Sequence, residues 1–66
     1  MKLVINGQEK EINDGLTITG MLESFEIDPG RVAVEVNLKI IKRDDRDEHK
    51  LNEGDSVEIV NFVGGG

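Results

Sequence analysis

Apolar side chains recur at every second position at the start of the chain, where Met1, Leu3 and Ile5 are interleaved with Lys2, Val4 and Asn6. A period of two is that of a strand with one buried face. Asn6-Gly7 follows, a pair that suits a two-residue type I′ turn because both of its positions need φ > 0. A return strand is predicted from about Gln8 to Ile12, broken by Asn13-Asp14-Gly15. The period then changes. Ile18, Met21, Leu22 and Phe25 stand at i, i+3, i+4 and i+7, the single apolar stripe of a surface helix. Thr17 is its predicted N-cap, Gly20 weakens it by about 1 kcal/mol, and Asp28-Pro29-Gly30 is predicted to stop it.

Period two returns at Val32, Val34 and Val36, the clearest strand signal in the chain. Asn37-Leu38-Lys39 turns into a short strand around Ile40 and Ile41. The stretch Arg43-Asp44-Asp45-Arg46-Asp47-Glu48 has no apolar residue and reads as a solvated loop or helical turn. After a turn at Glu53-Gly54-Asp55, a last strand carries Val57, Ile59, Val60, Phe62 and Val63. Its apolar residues fall on both faces, Val57 and Ile59 on one and Val60 and Phe62 on the other. Placing the first pair in the core is expected to require a bulge or an edge position.

Hairpin, helix and further strands give ββαββ with an extra short element, an α+β fold of two layers. That order is the β-grasp, or ubiquitin-like, architecture: a mixed sheet of four to five strands with one main helix packed across one face. Residues 1–63 are expected to form one domain, followed by a flexible tail at 64–66.

Composition narrows the function classes. A chain of 66 residues with no Cys and a single His has neither disulfides nor an evident metal to staple it. The lack of Cys fits a reducing compartment. Net charge is −6, from 14 acidic and 8 basic side chains. That argues against nucleic acid as a partner and favours either a basic protein partner or simple solubility. With no apolar run near the roughly 20 residues of a membrane span and no signal-peptide pattern, a cytoplasmic chain without a membrane partner is expected, monomeric when free.

The chain carries no Ser-His-Asp set and no phosphate-cradling glycine loop, so no catalytic residue is assigned and it is not expected to be an enzyme by itself. His49 lacks a second ligand at metal spacing and is expected in solvent. Asp44, Asp45, Asp47 and Glu48 lack the ordered spacing of a calcium loop, so neither metal nor bound cofactor is expected. What remains is the end of the chain. Gly64, Gly65 and Gly66 are consecutive among eight glycines. Three extended residues reach about 10 Å with no side chain to obstruct a narrow channel. A carboxylate at their end can enter another protein's active site, and once adenylated it accepts a sulfur or nitrogen nucleophile. A frayed terminus or linker is the plain alternative.

The whole chain resembles the ThiS family, the sulfur carriers of thiamine biosynthesis. The resemblance runs through Met1-Lys2-Leu3-Val4-Ile5-Asn6-Gly7, Leu16-Thr17-Ile18 to Leu22-Glu23, Val32-Ala33-Val34-Glu35-Val36-Asn37 and Ile40-Ile41. It is most specific from Leu51-Asn52-Glu53-Gly54-Asp55 through Val57-Glu58-Ile59-Val60-Asn61-Phe62-Val63 to the terminal glycines. It implies that a ubiquitin-activating-like enzyme, using ATP, adenylates the carboxylate of Gly66. Sulfur from a cysteine desulfurase or sulfurtransferase then makes a thiocarboxylate, which is delivered to thiazole synthase. Gly64 and Gly65 would be the flexible stem, with Val60, Phe62 and Val63 a docking surface for the partners. The segment from Arg43 to Lys50 departs from the family, being unusually charged and without the expected Pro and aromatic residues. The small subunit of molybdopterin synthase and a ubiquitin-like protein modifier share the same terminal chemistry. A ubiquitin-like binding module without tail chemistry is a further alternative.

Overall fold

Asn6 and Gly7 both take positive φ, 50° and 82°, and close a tight hairpin between β1 (Lys2–Ile5) and β2 (Gln8–Glu11). These residues belong to a computed structural model that describes residues 1–62. Helix α1 (Ile18–Ser24) starts where Thr17 caps it, its Oγ1 accepting the Gly20 N–H at 3.1 Å. β3 (Val32–Val36) and the two-residue β4 (Lys39–Ile40) form a second hairpin, and β5 (Ser56–Asn61) is the last strand. The sheet order is β2-β1-β5-β3-β4, with β1 and β5 parallel and the other pairs antiparallel. One helix lies over one face of this five-stranded mixed sheet, which is the β-grasp arrangement.

The periodicities read from the sequence become the core. Leu3 and Ile5, Val32, Val34 and Val36, and Val57 point inward from the sheet to meet Ile18, Met21 and Leu22 of the helix. Leu51 completes the cluster from the approach to β5. β5 needs no bulge: its register with β3 runs unbroken from Val36↔Val57 to Val32↔Asn61, and it lies third of five strands, not at an edge. Strict alternation puts Val57 and Ile59 on the core face and leaves Val60 outside. The expected break in period two is therefore absent, because the outward apolar residues are simply exposed.

Two further expectations change. The helix does not run on to Asp28-Pro29-Gly30 but ends at Ser24, with Glu26 left-handed at φ 59°. The Ile27 N–H bonds the Leu22 carbonyl at 2.9 Å and the Glu26 N–H the Glu23 carbonyl at 3.0 Å. These are the paired bonds of a Schellman closure, built here without the usual glycine. Asp28-Pro29-Gly30 instead opens a short 3-10 turn leading into β3, with Asp28 accepting from the Gly30 N–H.

The charged stretch is also not wholly solvated. Arg43–Asp45 form a 3-10 turn, but Arg46 is only 5% exposed. Its guanidinium donates to the carbonyls of Pro29 at 3.0 Å and Val32 at 2.8 Å. Burial, helped by the neighbouring Arg43, pulls its pKa below that of a free guanidinium, though arginine keeps its charge in proteins. His49 is half-buried instead of free in solvent, since residues 49–51 run back along the helix start. The His49 carbonyl accepts the Ile18 N–H at 3.0 Å, and Leu51 N–H bonds the Leu16 carbonyl at 3.0 Å.

The Met1 ammonium sits between β1 and the loop after β2, 2.7 Å from the Asp14 carboxylate and 3.3 Å from that of Glu11. The hydrogen bond to Asp14, reinforced by Glu11, holds its pKa above the usual value despite some desolvation. A pKa raised by folding adds stability that is complete below the unfolded value, near 8 for an α-amine. That contribution is lost as pH climbs through the folded value. Urea midpoints should therefore decline above about pH 8, and acetylating the Met1 amine should flatten that decline.

Candidate functional site

β5 delivers the chain to its C-terminal end, and its surroundings are asymmetric. The Phe62 N–H bonds the Arg31 carbonyl at 2.8 Å, which continues the β3 register one step past the strand. In an antiparallel ladder successive residues turn their polar groups to opposite sides. Glu58, Val60 and Phe62 thus turn theirs to β3, and Val57, Ile59 and Asn61 to β1. The ladder with β1 is short, Val4↔Ser56 and Ile5↔Val57, because β1 turns away at Asn6. Past that point the Asn6 side chain takes over: its Oδ1 accepts from the Ile59 N–H at 2.7 Å and its Nδ2 donates to the Ile59 carbonyl at 3.2 Å.

At the other end of β5, Asn37 does the same. Its Oδ1 accepts the Ser56 N–H at 3.0 Å and its Nδ2 donates to Asp55 Oδ1 at 3.0 Å, while its own N–H bonds the Ser56 carbonyl. Both asparagines sit in left-handed turn positions, φ 50° and 51°. The Asn-Gly pair signalled the first turn, but no sequence pattern reveals that each side chain also pins β5. The second turn is tighter than the sequence suggests, since Leu38 at φ 72° occupies a place that glycine or asparagine normally fills.

The outer face of the sheet beside this strand is apolar and acidic together. Val60 is 54% and Phe62 56% exposed, and Val60 lies across from half-buried Ala33. Glu58 and Glu35 face one another directly on the same side, a like-charge pair that costs stability unless a cation offsets it. Leu38 and Ile40, 91% and 74% exposed, extend the apolar surface toward the β3–β4 turn. A basic partner with apolar anchors suits this surface. Of the residues singled out in the sequence, Val60 and Phe62 are brought together here. Val63, Gly64, Gly65 and Gly66 lie outside the described residues.

Elsewhere, a shallow cavity of about 410 Å³ is lined in part by Arg43, Arg46, Asp44 and Asp47, two charges of each sign. Arg46 is already committed to two carbonyls there. Among the described residues no group of three His, Cys, Asp or Glu could hold a metal, and no helix is long and apolar enough to cross a membrane.

Known proteins share this architecture. The model of the ThiS family matches residues 3–66. The sulfur carrier protein ThiS of Bacillus subtilis is 40% identical over 65 residues, covering 97% of this chain and 98% of that one. The crystal structure of the thiamine biosynthesis protein ThiS from Geobacter metallireducens superposes with a TM-score of 0.88 at 30% identity over the full length of both chains. A thiazole synthase of Paramagnetospirillum magneticum is 42% identical over 66 residues, of which this chain spans only 20% of the length. A second, from Magnetococcus marinus, is 36% identical, again over 20% of its length.

Proposed function

The chain belongs to the ThiS family of sulfur carrier proteins, and from that premise we propose that it is the protein co-substrate that brings sulfur to thiazole synthase. The reactive group is the carboxylate of Gly66. One of its oxygens attacks the α-phosphorus of ATP in the site of an adenylating enzyme, and pyrophosphate leaves. A persulfide on a cysteine desulfurase or sulfurtransferase then attacks the acyl carbon and AMP leaves. A second thiol cleaves the resulting acyl disulfide, forming a disulfide with the sulfur donor's cysteine and releasing the thiocarboxylate. A C–S bond has replaced a C–O bond. The carrier itself contributes no acid, base or metal to these steps, and ATP belongs to the activating enzyme. The reducing cytoplasm, where a thiocarboxylate persists, is the compartment that suits this cycle.

The observation that carries the reading is the placement of β5. It is the middle strand of the sheet, held by β3 along its whole length and by β1 and Asn6 up to Ile59, and in the sequence only Phe62 and Val63 separate its end from the glycines. A rigid base with a thin, side-chain-free end is what delivery into an enclosed site needs. The likeness of the whole chain to one fifth of two thiazole synthases supports the choice of recipient. A carrier unit within the same chain as its acceptor meets it at high effective concentration.

Docking is assigned to Val60, Phe62 and Val63. Phe62→Glu places a charge where an aromatic anchor should be buried by the partner, which costs about 2 kcal/mol or more of binding. The apparent KM in adenylate formation should rise roughly 30-fold, while the urea midpoint barely moves because Phe62 is 56% exposed. An unchanged KM would remove Phe62 from the docking surface. The pathway is tested by presenting the thiolated chain to thiazole synthase and, separately, to the large subunit of molybdopterin synthase. Sulfur should pass to product only with the first; transfer with the second alone would reassign the pathway.

A further inference from the structure

Asn6 occupies a position in this fold that a turn residue does not require. Its left-handed φ suits the hairpin, and its main-chain N–H makes the last parallel bond, to the Val57 carbonyl at 2.8 Å. Any residue tolerant of that φ would do as much. The side chain goes further and satisfies both the N–H and the carbonyl of Ile59, the next residue of β5 that faces β1. An amide group here takes the place of the strand residue that β1 no longer supplies. Among the described residues, the strand beyond Ile59 is held from the β3 side alone, through Val60 and Asn61 opposite Ala33 and Val32 and through Phe62 bonded to Arg31. Asn6 thus marks where β5 passes from two-sided to one-sided support.

We propose that Asn6 is a positioning residue for sulfur loading: its bidentate hold on Ile59 sets the direction and rigidity of the strand end that carries the glycines into the adenylating enzyme. This role rests on the sulfur-carrier reading. Without the hold, residues 60–62 would swing on the β3 bonds only, and binding the enzyme would have to order them. The loss should therefore appear in KM, with kcat for bound carrier unchanged.

Asn6→Gly keeps the left-handed turn and removes both side-chain bonds. Asn37→Gly is the matched control, since it removes two side-chain bonds from an equivalent turn at the start of β5. ATP–pyrophosphate exchange is measured over a range of carrier concentrations with both variants and the parent chain, alongside amide hydrogen exchange. Asn6→Gly should raise KM about tenfold and speed exchange at Ile59 and Phe62, while Asn37→Gly leaves KM at the parent value. Should Asn6→Gly fail to fold, Asn6→Asp serves instead, keeping one acceptor and the turn preference. A parent-like KM in the Asn6 variant overturns the proposal, and so do equal increases in both variants, which would report lost stability only. A parent chain that supports no exchange at all would overturn the sulfur-carrier reading itself, and this role with it.

Discussion

Arg46→Ala should cost about 3 kcal/mol, because it strands two carbonyls that now accept from a charged donor and empties the space beneath them. The residue is 5% exposed, and its two bonds tie the loop after the helix to the first residue of β3. A domain this small rarely has more than about 5 kcal/mol in total. With neither Trp nor Tyr in the chain, urea unfolding followed by far-ultraviolet circular dichroism is the suitable measurement. The midpoint should fall by more than half. Arg46→Lys keeps the charge but offers a single point donor that cannot span both carbonyls, so it should recover only part of the loss. A change below about 1 kcal/mol for the alanine variant would mean that the two hydrogen bonds are worth no more than an average surface pair. Arg46 Nε is buried with no partner among the described residues.

Deleting Gly66 should have the opposite profile. The core runs from Leu3 to Val57, so the urea midpoint should not move. The acceptor carboxylate, however, would be withdrawn by about 3.5 Å. A misplacement of 1 Å already costs on the order of a hundredfold in rate, and sulfur loading should drop by at least that much. Loss of both folding and loading would show that residues beyond Phe62 contribute to the core, contrary to the packing described. Full loading after the deletion would show that the enzyme reads any terminal carboxylate, and that the third glycine is spare stem.

Much of the architecture was legible because it rests on local rules. Alternation marked β1 and β3, the Asn6-Gly7 pair marked the first hairpin, and Thr17 marked the helix start. In each case one residue type answers one local need. The misreadings came where the need was met by an unusual residue or by a distant one. Glu26 takes the left-handed place at the helix end that glycine would have advertised, so Pro29 looked like the stop. Leu38 does the same in the β3–β4 turn.

Arg46 sits in a run of charges and is buried by partners 14 and 17 residues away. No period or motif encodes that. At the candidate site the outcome was similar. Val60 and Phe62 stood out as apolar residues on the wrong face of a strand, and they are the exposed ones. Asn6 and Asn37 looked like turn residues only, since their hold on β5 spans 53 and 19 residues of sequence. Mistaking apolar residues on both faces for a broken period was a matter of assuming that each must be buried within the chain. Under the docking role proposed for Val60 and Phe62, that face is left for a partner to cover.

The central claim is that the chain carries sulfur on the carboxyl carbon of Gly66, and intact mass spectrometry addresses it most directly. The chain is incubated with an adenylating enzyme, ATP and a sulfide source, then weighed and fragmented. The account predicts a gain equal to one oxygen replaced by one sulfur, dependent on ATP and confined to the fragment that ends in Gly66. An unchanged mass, with the same enzyme loading another carrier in parallel, would contradict it, as would a gain located on any other residue.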